Sequence, residues 1–443
     1  MEAINKNETQ SFNAKKAVPV ILFFFLFALI IDNSFKLVSV DIAKDLGISA
    51  TTVSWQATLA GLVIGIGAVV YASLADSINI RTLLSAGVIF IVVGSIIGYL
   101  FRDNFAMILF GRIIQTAGLA SAETLYVIYV TKHLPKEEQK KFLGLSTASY
   151  AMSMLVGSLT GGFISTYLHW TTLFLIALIA IFILPFILKL LPKEESRKAN
   201  VDVIGLFLIA AIATTVMLYI SNFNWLYLIG FAIALGLFLT YINKSSKALI
   251  DATFFKNQHF IRTLPIVFVI YSVQLGYIFV FPFILEGIYD LKLDMISLLL
   301  IPGYVASVIV GSLSGKIGKF LNSKQATLMA LCGIAVALFI PGLFTESTVV
   351  IYVLSMIVFS GSFALMYAPL LDTCLSTIPK EKSGTAIGFY NLTINVSGSI
   401  GIAYTAAMQD NLETSTVLIA LSVIAVVALG LYWVLLGKIA KEN

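Results

Sequence analysis

The sequence predicts an all-α integral membrane protein of about fourteen transmembrane helices, in a six-two-six order with pseudo-repeated halves. Three observations predict it. The first is composition: 59% of the 443 residues are hydrophobic and 12% are charged, with a mean hydropathy of +0.97. A soluble globule carries about a quarter charged residues. The second is block length. The apolar residues come in runs of about 18–25, enough to cross roughly 30 Å of hydrocarbon at about 1.5 Å per residue. The third is asymmetry of positive charge. If the N-terminus is cytoplasmic, about 23 of the 28 Lys and Arg fall in cytoplasmic segments. The outer loops hold only Lys44, Arg102 and Lys292. This bias places both termini in the cytoplasm and supports an even number of spans. The formal charge of +5 is no nucleic-acid footprint, because the basic residues are spread over short loops.

The spans follow in order. The chain is polar up to Lys16 and then apolar over Ala17–Val40. That run outlasts a signal-peptide core and no small-residue cleavage pattern follows, so it reads as a retained first span. Trp55–Ala75, Thr82–Phe101, Phe105–Val130, Phe142–Ser165 and Trp170–Leu191 complete the first six. Val203–Ser221 and Trp225–Ile242 form a pair bracketed by the longest cytoplasmic loops. The last six are Thr263–Glu286, Ile296–Ile317, Ala326–Phe344, Val349–Asp372, Gly384–Met408 and Ser415–Leu436. The division is therefore residues 1–191, a two-helix insert with cytoplasmic linkers at 192–262, and residues 263–443. Two echoes relate the halves. The segment from Ala72 to Arg81 after the second span resembles Gly311 to Lys319, and Thr131–Lys141 resembles Thr377–Ser383. Repeated halves are a carrier architecture, with the site at their interface near mid-depth.

Charged residues inside spans carry the chemistry. Asp32 lies deep in the first run; Arg112 and Glu123 lie in the fourth. A carboxylate at that depth costs on the order of 3 kcal/mol on insertion scales unless it is partnered or wet, so such acids mark proton or cation paths. Asp32 is about 12 Å below the outer end of its span and Arg112 about 10 Å below the end of its own, so the two can pair if the helices adjoin. Glu123 is eleven residues beyond Arg112. Eleven steps of about 100° leave about 20°, so both project from one helix face, about 16 Å apart along the axis. Gln115 and Gly118 lie between them. Lys36 stands four residues after Asp32 and has two options: neutralising Asp32 in the favourable acid-first order, or snorkelling to the outer interface. Arg112 serves equally as a coupling partner or a structural clamp. Glu123 has no cation three or four residues away on its helix. The candidate substrate contacts are Asn33, Gln115, Tyr126, Gln274, Tyr277, Asn391 and Asn395, for which interhelical hydrogen bonding is the competing role.

Several motifs give a family resemblance. Leu74-Ala75-Asp76 to Arg81 forms a cytoplasmic acid-then-base segment, Gly111-Arg112 to Gly118 places Arg, Gln and Gly three apart, and Gly157-Ser158-Leu159-Thr160-Gly161-Gly162 is a glycine-rich fifth span. Asn391, Gly398 and Gly401 fall in the thirteenth span. The chain resembles the major facilitator superfamily, and within it the fourteen-helix drug:proton antiporters of Gram-positive bacteria, including staphylococcal tetracycline and multidrug exporters. It departs from the fifth-span motif by carrying Ser158 in place of Pro. The resemblance implies a major facilitator fold and proton-coupled export of tetracyclines, fluoroquinolones or lipophilic cations by alternating access. It implies proton coupling through Asp32, Glu123 and Arg112, a charge latch at Asp76 and Arg81, close helix packing at Gly157, Gly161 and Gly162, residence in a Gram-positive cytoplasmic membrane, and action as a monomer without a cofactor. A solvated turn is the alternative for Asp76 and Arg81.

Other classes lack their signatures. No phosphate-binding Gly-x4-Gly-Lys-Ser/Thr loop is present, which argues against an ATP-driven pump. His133, His169 and His259 lie in loops far apart in sequence, so neither a metal site nor an intramembrane enzyme is expected. Cys332 and Cys374 read as small apolar residues. The remaining rival is a carrier for an endogenous metabolite, lipid or siderophore.

Overall fold

The computed structural model describes residues 14–75, 78–192, 202–244, 257–378 and 383–436. They form α1 (Ala14–Leu37), α2 (Ser39–Leu46), α3 (Ala50–Ala75), α4 (Ile80–Leu100), α5 (Phe105–His133) and α6 (Lys136–Tyr167). A rod follows, built of α7 (Thr172–Ala177), a tighter 3-10 stretch (Leu178–Ile183) and α8 (Leu184–Leu190). Then come α9 (Val203–Asn222), α10 (Trp225–Lys244), α11 (Gln258–Tyr289), α12 (Leu293–Ile317), α13 (Ser323–Leu343), α14 (Val349–Leu375), α15 (Ser383–Asn411) and α16 (Thr414–Leu436). In a bilayer each backbone polar group must be satisfied within the segment, and helices do this. Their starts are finished by side chains. Asn79 caps α4, Asn104 caps α5, Asp202 caps α9 and Asn257 caps α11, each accepting from a first-turn N–H. Asn322 and Gln325 make a reciprocal capping box on α13.

Twelve helices among the described residues are long and apolar enough to cross a membrane. The chain is a multi-pass membrane protein. Two more helices, α6 with 32 residues and α15 with 29, stand at the fifth and thirteenth expected spans but are richer in small and polar residues. Their place in the fold explains this. Helices α1 to α8 pack among themselves, as do α11 to α16, and the two sets meet along α3 against α15 and α6 against α12. A helix in such a seam faces other helices over much of its surface, where small residues permit close approach. By contrast α10 turns Trp225, Leu226 and Ile229 outward at 71%, 69% and 57% exposure, as a lipid-facing helix does. The α9–α10 pair packs on α15 and α3, beside the seam. Cys374 is buried, Cys332 is on the surface, and both are free.

Among the described residues, polar links between the sets lie at one face and along the seams. At the face where α1 ends, here the far face, Asp410 of α15 accepts from the N–H groups of Ala50 and Thr51 at 2.9 and 2.7 Å. Lys44 pairs with Glu286. The Tyr167 hydroxyl donates to Asp294 at 2.9 Å, and the Asp294 N–H donates to Thr166 at 3.1 Å. Thr58 with Ser399 and Ser158 with Tyr304 are further links along the seams, at 3.4 Å each. At the face where α1 begins, no hydrogen bond or ion pair joins the sets among the described residues.

Helix α5 is seated by glycines. A Cβ on Gly111 would come within 2.7 Å of the Gly94 carbonyl, and one on Gly118 within 2.3 Å of the Gly87 carbonyl. The α4 and α5 backbones therefore touch. Gly111→Val is expected to destabilise the protein by about 1–3 kcal/mol through overpacking, read as a lower unfolding temperature in detergent. Gly311→Ala, with nothing within 4 Å of the new methyl, should leave that temperature unchanged.

Candidate functional site

Four helices meet at Arg112. Its Nη2 donates to Asp32 Oδ1 at 2.6 Å, its Nε to Gln56 Oε1 at 3.2 Å and its Nη1 to Gln115 Oε1. The guanidinium lies 4.4 Å from the centre of the Phe35 ring, a cation–π distance. Gln115 continues the chain by donating to Ser95 of α4 at 2.8 Å. Gln56 donates to the Phe35 carbonyl and to Ser39 at 2.9 and 2.8 Å. The network thus ties α1, α3, α4 and α5 together with every named amide used at both ends. A void of about 10 Å³ beside Asp32, Arg112 and Gln115 is the smallest space that holds one water.

The depth match expected between Asp32 and Arg112 becomes a contact. Lys36 resolves its two options by turning back: its Nζ reaches Asp32 Oδ2 at 2.7 Å. This follows from helix geometry, since long side chains lean toward the N-terminus of their own helix. Asp32 therefore sits between two cations, one per oxygen.

Glu123 stands apart on the same helix as Arg112. It is half-buried and no hydrogen bond or ion pair reaches it among the described residues. The charges it faces are those of Lys36 and Asp32. Tyr150 of α6 is near both Glu123 and Asp32, and Tyr367 of α14 is near Glu123. Tyr150 and Tyr367 lie deep in the protein but keep 43% and 42% of their surface accessible, as residues on a cavity wall do. Tyr304 of α12 neighbours Tyr150 and accepts from Ser158. Glu123 is thus partly accessible, with tyrosines of both helix sets nearby.

The glycines of α6 bring this helix to the acid. A Cβ on Gly157 would come within 2.8 Å of the Asn33 Cβ, and one on Gly161 within 2.9 Å of the Ser34 carbonyl. Ser34 donates to the Gly157 carbonyl, and Asn33 to Ser153, at 2.8 and 3.1 Å. Gly162 faces the other way. Its Cβ would meet the Leu293 carbonyl of α12 at 2.5 Å.

Other sequence candidates lie elsewhere. Tyr126 is buried and donates to the Phe142 carbonyl at 2.7 Å. Tyr277 is buried against Phe281 and Phe359, with its hydroxyl on Ser355. Both are fully buried. Gln274 is half-buried, Asn391 is exposed, and Asn395 donates to the Asn391 carbonyl and packs on Gly65 of α3. Asp76 lies outside the described residues; Arg81 opens α4 with its N–H on Asn79. Sequence reasoning missed Gln56, Ser95, Tyr150, Tyr304 and Tyr367. The polar amide of Gln56 at the start of an apolar run was the available signal. The tyrosines gave none, because aromatics also face lipid. Among the described residues no cluster of His, Cys, Asp and Glu suits a metal ion. Outside the spans, burial on α2 raises the Asp41 carboxyl above its ordinary pKa, against the Ser165 hydrogen bond that lowers it.

The family description Major Facilitator Superfamily matches residues 20–402. The chain belongs to the Major Facilitator Superfamily. It is 25% identical over 383 residues to "Riboflavin transporter RibZ" of Clostridioides difficile (strain 630), covering 82% of this chain and 81% of that protein. It is 27% identical over 419 residues to "Quinolone resistance protein NorB" of Staphylococcus aureus (strain JH9), covering 89% and 88%. Among solved structures, the POT family transporter PepTSo superposes with a TM-score of 0.73 at 12% identity, over 97% and 99% of the two chains. A D-xylose–proton symporter superposes with a TM-score of 0.66 at 14% identity, over 95% and 96%. These two share the fold. The protein is a superfamily transporter whose relatives carry small molecules across membranes.

The charge arithmetic of the site ranks its variants. Asp32→Asn strands two cations in the membrane interior, Arg112→Gln leaves Asp32 with Lys36, and Lys36→Met leaves Asp32 with Arg112 and its full network. Breaking a buried pair costs about 3–5 kcal/mol. The unfolding temperature in detergent is expected to fall most for Asp32→Asn, less for Arg112→Gln and least for Lys36→Met.

Proposed function

We propose that this transporter is a proton-coupled exporter of aromatic drugs such as quinolones, tetracyclines or lipophilic cations. The observation that carries the reading is Glu123: a partly accessible carboxylate inside a span, without a protein partner among the described residues and with tyrosines of both helix sets nearby. An acid so placed takes a proton or a cationic group, and the two compete. Asp32 is the second acid of the cycle, with Arg112 as its fixed counter-charge. The two moving bodies are residues 1–191 and 263–443, with 192–262 as a peripheral pair. The far face, where Asp410, Glu286 and Asp294 link the sets, is the outer one. The positive-charge bias supports cytoplasmic termini in a Gram-positive cytoplasmic membrane, and one chain contains the whole site. In this cycle drug enters from the cytoplasm, protonation from outside releases it, and the proton leaves inward as the carrier resets.

The likeness to a riboflavin transporter supports a second reading, a carrier of an endogenous aromatic metabolite. One experiment separates them. Purified protein in liposomes is challenged with tetracycline, ethidium or norfloxacin while a pH dye reports proton release. Release by wild type that is abolished in Glu123→Gln is expected. Wild-type transport by Glu123→Gln and Asp32→Asn at every pH between about 6 and 8 would refute coupling through these acids. No release with any drug would favour the metabolite carrier.

A further inference from the structure

Two bases share one acid in this site, and another acid has no base. Both oxygens of Asp32 are taken, one by Arg112 at 2.6 Å and one by Lys36 at 2.7 Å. Arg112 places one donor from each of its three nitrogens on Asp32, Gln56 and Gln115, and its side chain is only 2% exposed. Its burial keeps its remaining N–H groups from a ligand. Lys36 differs. An ammonium carries three donors; one goes to Asp32, and no other described residue accepts from the remaining two. Its side chain keeps 16% of its surface accessible. Since Arg112 alone balances Asp32, Lys36 is a surplus cation inside a span. Glu123 is a surplus anion. The two feel one another but form no ion pair, and Tyr150 stands near the acids of both groups.

A partly accessible cation with idle donors, a separate partly accessible anion and phenol rings near that anion are complementary to a zwitterion with an aromatic body. We propose that Lys36 is the receptor for an anionic group of the cargo, a carboxylate, while Glu123 receives its basic nitrogen. The inference rests on the exporter reading above and adds to it the anion receptor and the charge type of the cargo. A purely cationic cargo would meet Lys36 with like charge, which is a repulsive element against that class. A carboxylate would take up the two idle donors without displacing Asp32.

The test deletes one charge from the ligand and one from the protein. Norfloxacin, which has a carboxylate and a basic piperazine, and its methyl ester, which keeps only the base, are titrated into the full-length protein in nanodiscs. Wild type, Lys36→Met and Lys36→Arg are compared, each first shown to be monodisperse. A charge-assisted contact predicts that wild type binds the acid about tenfold more tightly than the ester. The preference should vanish in Lys36→Met and return in Lys36→Arg. An equal loss for both ligands in Lys36→Met would show that Lys36 acts only through Asp32 and would overturn the proposal. So would binding of the ester and of ethidium by wild type with no advantage for the acid, and that result would leave the exporter reading standing. Failure of wild type to bind norfloxacin, its ester or ethidium would instead remove the exporter reading, and this proposal with it.

Discussion

A charge in hydrocarbon must find an opposite charge or water, and this constraint organises the N-terminal half of the protein. Arg112 cannot lose its proton, so α5 can only be buried where something meets the guanidinium. Asp32 of α1, Gln56 of α3 and Gln115 of α5 itself do so. Ser95 of α4 holds Gln115 in turn. Removing lipid from around α5 therefore fixes the relative height of four helices. The apolar surfaces of those helices supply area but little register. The polar network supplies the register.

Close backbone contact is the second organiser. Helices in lipid gain little from burying apolar surface, so they associate through packing and hydrogen bonds where small side chains allow. In α6 the glycines serve two neighbours. Gly157 and Gly161 admit α1 beside Asn33 and Ser34, and Gly162 admits α12 of the other set. The helix that touches the acid-bearing segment is thus the same helix that meets the opposite half. A change at Asp32 has a short mechanical path to the seam.

What was legible in the sequence follows from which physics is local. Block length and charge bias are properties of the chain itself, so the helical membrane class, the order of elements and the superfamily could be read. The Asp32–Arg112 pair was legible because depth is arithmetic along a helix. The isolation of Glu123 was legible in the same way. Direction around the helix was harder. Tyr126 and Tyr277 satisfy their hydroxyls inside their own bundles, whereas Tyr150 and Tyr367 keep over two fifths of their surface accessible. A tyrosine carries no mark that tells these situations apart. Lys36 had two permitted courses, back to Asp32 or out to the interface, and the structure shows the first. The low apolarity of α6 and α15 was visible, but its cause, their place in the seam, required the packing.

The contact of Asp410 with α3 joins a helix end to the separation of two bodies. Ala50 and Thr51 are the first residues of α3, and their N–H groups have no acceptor within their own helix. The acceptor comes from α15, across the seam. Any arrangement that parts the sets at this face must uncap α3 and hand its positive dipole end to water. The first turn of α3 is therefore firmest when this face is shut. Amide hydrogen exchange at Ala50 and Thr51 would read out, residue by residue, how much of the time the molecule spends open there.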